Sequence, residues 1–99
     1  MIRGTTPTHT FTLPFAVSMV DDVMVIYAQN DVEVFQKNTR DCVLEGNTIQ
    51  TTLTQDDTLR LDHRQNVQVQ LRVLTIDGTA MASRVYVMGV EQCLNDEVL

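Results

Sequence analysis

The sequence predicts an all-β domain: an immunoglobulin-like antiparallel sandwich of two sheets and about seven strands. Three observations carry this. Val67-Gln68-Val69-Gln70-Leu71-Arg72-Val73 alternates apolar and polar residues. A strand sends successive side chains to opposite faces, so this run has one dry face and one wet face. Asp77-Gly78 follows between strand-like runs and signals a two-residue hairpin. Turn-forming residues recur about every 8–12 positions elsewhere, and no segment supports a helix longer than one turn. A small closed barrel is the alternative arrangement of the same strands. The chain has no Trp, so the Cys…Trp…Cys spacing of true immunoglobulin domains is missing and the likeness is one of architecture.

Taken in order, residues 1–7 are polar with Gly4 and Pro7 as breakers, and read as an arm. Residues 8–15 alternate, with His9, Phe11, Leu13 and Phe15 on one face. Pro14 cannot donate to a ladder, which makes this an edge strand. Residues 16–22 read as a connection that turns at Asp21-Asp22. Val23 to Gln29 is apolar on both faces, as expected of a central strand covered on both sides or by an arm. Asn30-Asp31 is a turn, and residues 32–37 return from it with imperfect alternation at Val32, Val34 and Phe35.

Cys42-Val43-Leu44 is a short strand, Glu45-Gly46-Asn47 a tight turn, and residues 48–54 its return. Thr54 with an acidic residue three positions on reads as a helix cap for a single turn. Asp62 to Asn66 is a charged loop. The strand from Val67 and a last strand from Thr79 to about Val90 complete the set, with Gly89 marking a bulge or the approach of another chain. Residues 91–99 form a mixed tail. The dry face of Val67, Val69, Leu71 and Val73 is expected to pack on Phe11, Leu13 and Val25 of the other sheet.

The 99 residues make one domain, 1–99, able to bury a single core without staples. Val and Thr together fill 27 of the 99 positions, which favours strands because both are β-branched. A net charge of −6 argues against a phosphate backbone as partner, and five aromatics offer no stacking platform for single-stranded nucleic acid. The longest apolar run, Val23 to Ala28, is too short to span a bilayer, and no targeting segment is visible. The chain is therefore expected to be made and kept inside the cell. The expected partners are proteins, with no nucleic acid and no membrane.

Candidate chemistry is thin. Cys42 and Cys93 form no CxxC pair and have no His at metal-ligand spacing, so they read as free, partly buried thiols, with a disulfide as the alternative. Asp56, Asp57, Asp62 and His63 are the densest polar cluster, but calcium-loop spacing is not met and a solvated corner explains them. His9 and His63 could meet a cysteine in space, yet no nucleophile elbow or glycine-rich oxyanion turn is present. Met24, Met81 and Met88 read as core filling, with Met19 beside them as a candidate for an adaptable contact surface. No catalytic, cofactor-binding or metal-binding residue is assigned, and no cofactor is expected.

Residues 1–15 (MIRGTTPTHTFTLPF), 41–48 (DCVLEGNT), 53–58 (LTQDDT), 70–80 (QLRVLTIDGTA) and 94–99 (LNDEVL) carry a resemblance to a group of small proteins encoded in prophages of Gram-positive bacteria. The likeness covers nearly the whole chain. It implies a phage context among virion assembly or tail genes, and with it the host bacterial cytoplasm as the expected location, with incorporation into the virion as the further option; it brings neither an activity nor a functional residue with it. The expected function is that of a non-enzymatic phage-derived protein, a virion or tail accessory or assembly component acting through contacts with phage structural proteins or with itself as a homo-oligomer. The arm 1–7 and tail 91–99 are the segments expected to make those contacts. A soluble host-directed binding module is the alternative, and a small enzyme the remote one.

Overall fold

The computed structural model describes residues 1–99, all of the chain. Eight strands and one short helix run in the order β1 (Thr8–Thr12), β2 (Val20–Gln29), β3 (Val32–Asn38), β4 (Cys42–Glu45), β5 (Thr48–Thr52), α1 (Gln55–Leu59), β6 (Val67–Thr75), β7 (Ala80–Ala82) and β8 (Tyr86–Met88). They form two antiparallel sheets that do not close into a barrel. The smaller is β1-β5-β4; the larger is β3-β2-β6, with β7 and β8 both on the far edge of β6.

The alternation read from residue 67 onward holds throughout β6, whose odd-numbered residues from Val67 to Thr75 are buried. Their neighbours across the ladder are the odd residues of β2, with Val25 opposite Leu71 and Tyr27 opposite Val69. Val25 therefore lies beside the dry face of β6 in the same sheet, not across from it. Phe11 and Leu13 do come from the other sheet. The core joins Val23, Val25 and Tyr27 with Leu13, Ile49 and Leu53 across the sandwich, and Leu61 closes one end.

Several sequence expectations shift by a residue or change role. The Asp77-Gly78 hairpin has a three-residue loop: Thr75 N–H donates to Thr79 O at 2.9 Å, enclosing Ile76, Asp77 and Gly78. Gly78 sits at φ +86°, the left-handed position that such a loop hands to glycine. Asn30 and Asp31, at φ +51° and +62°, do make a two-residue turn. The imperfect alternation of β3 is a bulge: Tyr27 pairs Phe35 and Ala28 pairs Glu33, leaving Val34 extra. Asp21-Asp22 does not turn; it lies inside β2 at a second register shift against β6. Only one face of β2 is fully covered, since Met24, Ile26 and Ala28 on the other are half-buried.

The final strand is broken, and not at Gly89. The register of β8 on β6 is displaced by one residue from that of β7, with the break at Ser83 and Arg84. Ser83 repairs the ladder. Its N–H donates to Leu71 O at 2.8 Å, and its Oγ accepts from Leu71 N–H at 3.0 Å in place of a carbonyl. The arm and tail are tied to each other by an Ile2–Glu91 bridge, by the Met1 amino group on Gly89 O at 2.9 Å and by Arg3 on Asp96 at 2.8 Å. No helix is long and apolar enough to cross a membrane.

Candidate functional site

The inner faces of the two sheets are sealed at one edge of the sandwich and parted at the other. Along the parted edge a groove of about 690 Å³ runs between β1 and the β7–β8 edge. Phe11, Leu13 and Phe15 form one wall, Val69, Leu71 and Val73 the floor, and Met81, Tyr86 and Met88 the opposite wall. Its size and apolar lining are those of a binding cleft. Met81 and Tyr86 are 39% and 38% exposed although they point inward, so the groove leaves large apolar side chains without cover.

The strand edges beside it are also unfilled. In the β1–β5 ladder, Leu53 N–H donates to Pro7 O and Leu13 N–H to Asn47 O, so the odd residues of β1 aim their backbone at β5. Thr8, Thr10 and Thr12 therefore aim theirs outward, where no strand pairs with β1. Pro14 is next in that outward series, which is where a residue without an N–H belongs. The same parity on β7 turns the backbone of Ala80 and Ala82 outward.

Titratable groups near the groove are few. His9 Nδ1 and the Tyr27 hydroxyl are hydrogen-bonded at 2.7 Å, and burial holds the imidazole pKa below its ordinary value, so it is neutral at pH 7. Burial pushes the Tyr27 phenol up, with the charges of Cys42 and Asp57 adding to the shift. His9 and Cys42 both pair with Thr51, from opposite sides, so the strand carrying Thr51 stands between thiol and imidazole. That spacing of about two strand separations, roughly 10 Å, is too far for a base to take the thiol proton directly. Burial also pushes the Cys42 thiol up, away from the nucleophilic thiolate. Cys93 lies in the tail, its Sγ 3.7 Å from where a Cβ on Gly4 would sit, and both cysteines are free.

The acidic cluster is taken apart by the fold. Asp57 caps α1 with Thr54 and is buried against Lys37, 2.5 Å from its Nζ. Burial would raise this carboxyl, but the Lys37 and Thr54 hydrogen bonds outweigh it and hold it below the ordinary range. Asp62 pairs with Arg64 at 2.9 Å on the surface, which lowers it to about 2. Asp56 and His63 are exposed. No three His, Cys, Asp or Glu side chains stand together as a metal site.

Of the residues singled out from sequence, Met81 and Met88 line the groove, Met24 lies on the outer face of β2, and Met19 is exposed beside Ile76. Sequence reasoning places Phe15 on one face of residues 8–15 with Phe11 and Leu13 and reads that run as an edge strand, as the pairing of β1 with β5 alone bears out, but it does not pick out Tyr86 or a groove between that strand and Tyr86. One signal was present: the run from Gly4 to Val20 contains no Asp, Glu, Lys or Arg, in a chain that is 20% charged. Edge strands are ordinarily guarded by charge, and this one is not. Compared with protein-family models, curated proteins and solved structures, the chain matched none.

Proposed function

We propose that this chain is a non-enzymatic assembly or accessory component of a phage particle, working through protein–protein contacts at the groove. The observation that carries the reading is the coincidence of exposed apolar side chains with an unpaired, uncharged strand edge. Apolar surface left in water is unfavourable by about 25 cal/mol per Å², and unpaired strand edges recruit other chains. Both costs are relieved by a protein partner. The phage context rests on the whole-chain resemblance. The non-enzymatic part rests on the groove's chemistry: its one imidazole is committed to Tyr27 and neither cysteine lines it.

The test is mass analysis of purified particles induced from a lysogen carrying the gene. The protein is expected at fixed stoichiometry, and deletion is expected to impair particle formation or a particle's function. Absence from particles, with intact and infectious particles formed after deletion, sinks the reading. The net charge of −6 favours one further reading, a host-directed module that captures a basic bacterial protein. A single stoichiometric host partner recovered from lysate by the tagged chain, with none from the phage, would select it.

A further inference from the structure

We propose that the groove receives one extended segment of a different protein, which joins the outer edge of β1 as an added antiparallel strand and sets a carboxylate beside Arg84. This rests on the assembly reading above and specifies its chemistry.

The larger sheet is four strand positions wide, counting β7 and β8 as one broken rank, while the sheet facing it has three. The smaller sheet is one strand short on the groove side. β1 offers three outward N–H and three outward C=O groups, at Thr8, Thr10 and Thr12, between the breaks at Pro7 and Pro14. An antiparallel strand of about five to seven residues would pair with all of them. Its alternate side chains would point inward over Phe11, Met81 and Tyr86, so they must be apolar.

Charge narrows the occupant. The β1 wall is neutral, and the one formal charge in β7, β8 and the link between them is Arg84, which lies beside the groove and not in its lining, with its guanidinium 4.8 Å from the centre of the Tyr86 ring. Arg84 has no carboxylate partner in the chain, and neither have Arg40, Arg60 and Arg72, but of these four it alone lies over an aromatic ring of the groove. An acidic residue on the incoming segment supplies one. A lipid tail would fill the apolar volume but leave the β1 amides and carbonyls unsatisfied. A second copy is a poorer donor. Its C-terminal segment outside the strands, Cys93 to Leu99, lacks apolar alternation, and two copies each bring −6.

The test uses the ¹⁵N-labelled full chain and a synthetic peptide, acetyl-Glu-Val-Thr-Val-Thr-Val-amide, at millimolar concentration. Amide exchange at Thr8, Thr10 and Thr12 is expected to slow at least tenfold, while His9 and Phe11, already paired with β5, change little. N-methylation of alternate peptide amides is expected to abolish the protection. Arg84→Glu is expected to weaken binding at least fivefold, and a peptide with Lys in place of Glu to recover it. Unslowed Thr amides, or equal binding of the methylated peptide or of decanoate, overturns the proposal. So does protection that appears without peptide, together with a doubled mass by light scattering, which would assign the groove to a second copy. A protein found in particles but indifferent to the peptide would refute strand addition alone; a protein absent from particles refutes the assembly reading whatever the peptide does.

Discussion

The two long edges of this sandwich are built from the same kinds of residue and have opposite fates. At the edge formed by β3 and β4, the chain passes between sheets in three residues, Thr39–Asp41, and the inner faces are drawn together. Phe35 stacks on Tyr27 with ring centres 4.7 Å apart, Lys37 and Arg60 each sit 5.9 Å from the Phe35 ring, and Lys37 meets Asp57 from α1. At the edge formed by β1 and β7–β8 no segment crosses, and the aromatic contact there, Phe11 with Tyr86, is a tilted pair at 6.2 Å. Apolar composition does not decide which edge closes. Connectivity does: a short crossover holds two edge strands together, and its absence leaves a groove.

If the closed edge carries the stability, the largest loss should come from Tyr27→Ala. Tyr27 is fully buried, stacks on Phe35 and bonds His9. Urea denaturation should show a loss of about 3–5 kcal/mol, the range for removing a buried aromatic. A loss under about 1 kcal/mol would mean that the stacked edge is not what holds the sheets together.

Asp57→Asn should come next, at about 3 kcal/mol, because it leaves the Lys37 ammonium in a site nearly closed to water. Pairing it with Lys37→Met should recover part of the loss, giving a coupling that separate surface sites would not show. The effect has a pH signature. The folded carboxyl titrates below its unfolded value, so its contribution is complete above the ordinary carboxylate pKa of about 3.9 and is lost as pH falls through the folded one. The wild type should therefore lose more stability on acidification than Asp57→Asn does. His9 gives a smaller step higher on the scale. Its folded pKa lies below 6.5, so unfolding takes up a proton as pH falls past that value, and stability declines until the folded imidazole titrates. In His9→Gln that decline should vanish from the stability–pH curve.

The difference between the edges also explains what could be read in advance. Period-two burial in β6, the Asn30-Asp31 turn and the Thr54–Asp57 capping box are local patterns, each fixed by residues within a few positions of one another. Val25 lies in the same sheet as β6 and not the opposite one, a distinction the sequence hides because alternation tells which residues are buried and not which strand lies alongside. Ser83 supplies a side-chain oxygen to the ladder, so the break in the last strand sits on a residue with no conformational signature, while Gly89 lies past the end of β8 and makes no bulge. The groove was illegible for a stronger reason. Phe11 and Tyr86 belong to strands at opposite ends of the chain, and nothing local to either says that no strand comes between them and solvent.

The smallest expected effect bears hardest on the comparison. Met81 faces inward on the open edge but keeps 39% of its surface in water. Met81→Gln preserves the length of the side chain and adds an amide that the groove leaves free to hydrate. If the open edge is a surface awaiting a partner, the isolated protein should lose no more than about 1 kcal/mol, in keeping with a partly exposed position. Incorporation into particles should fall much further, because an amide buried against an apolar strand without a bond costs about 1–3 kcal/mol in the complex alone. A large stability loss in the free protein would show the groove already closed in solution, with both edges serving the core. Unchanged stability with unchanged incorporation would move the contact surface away from this edge, to the tied arm and tail or to the outer face of β2.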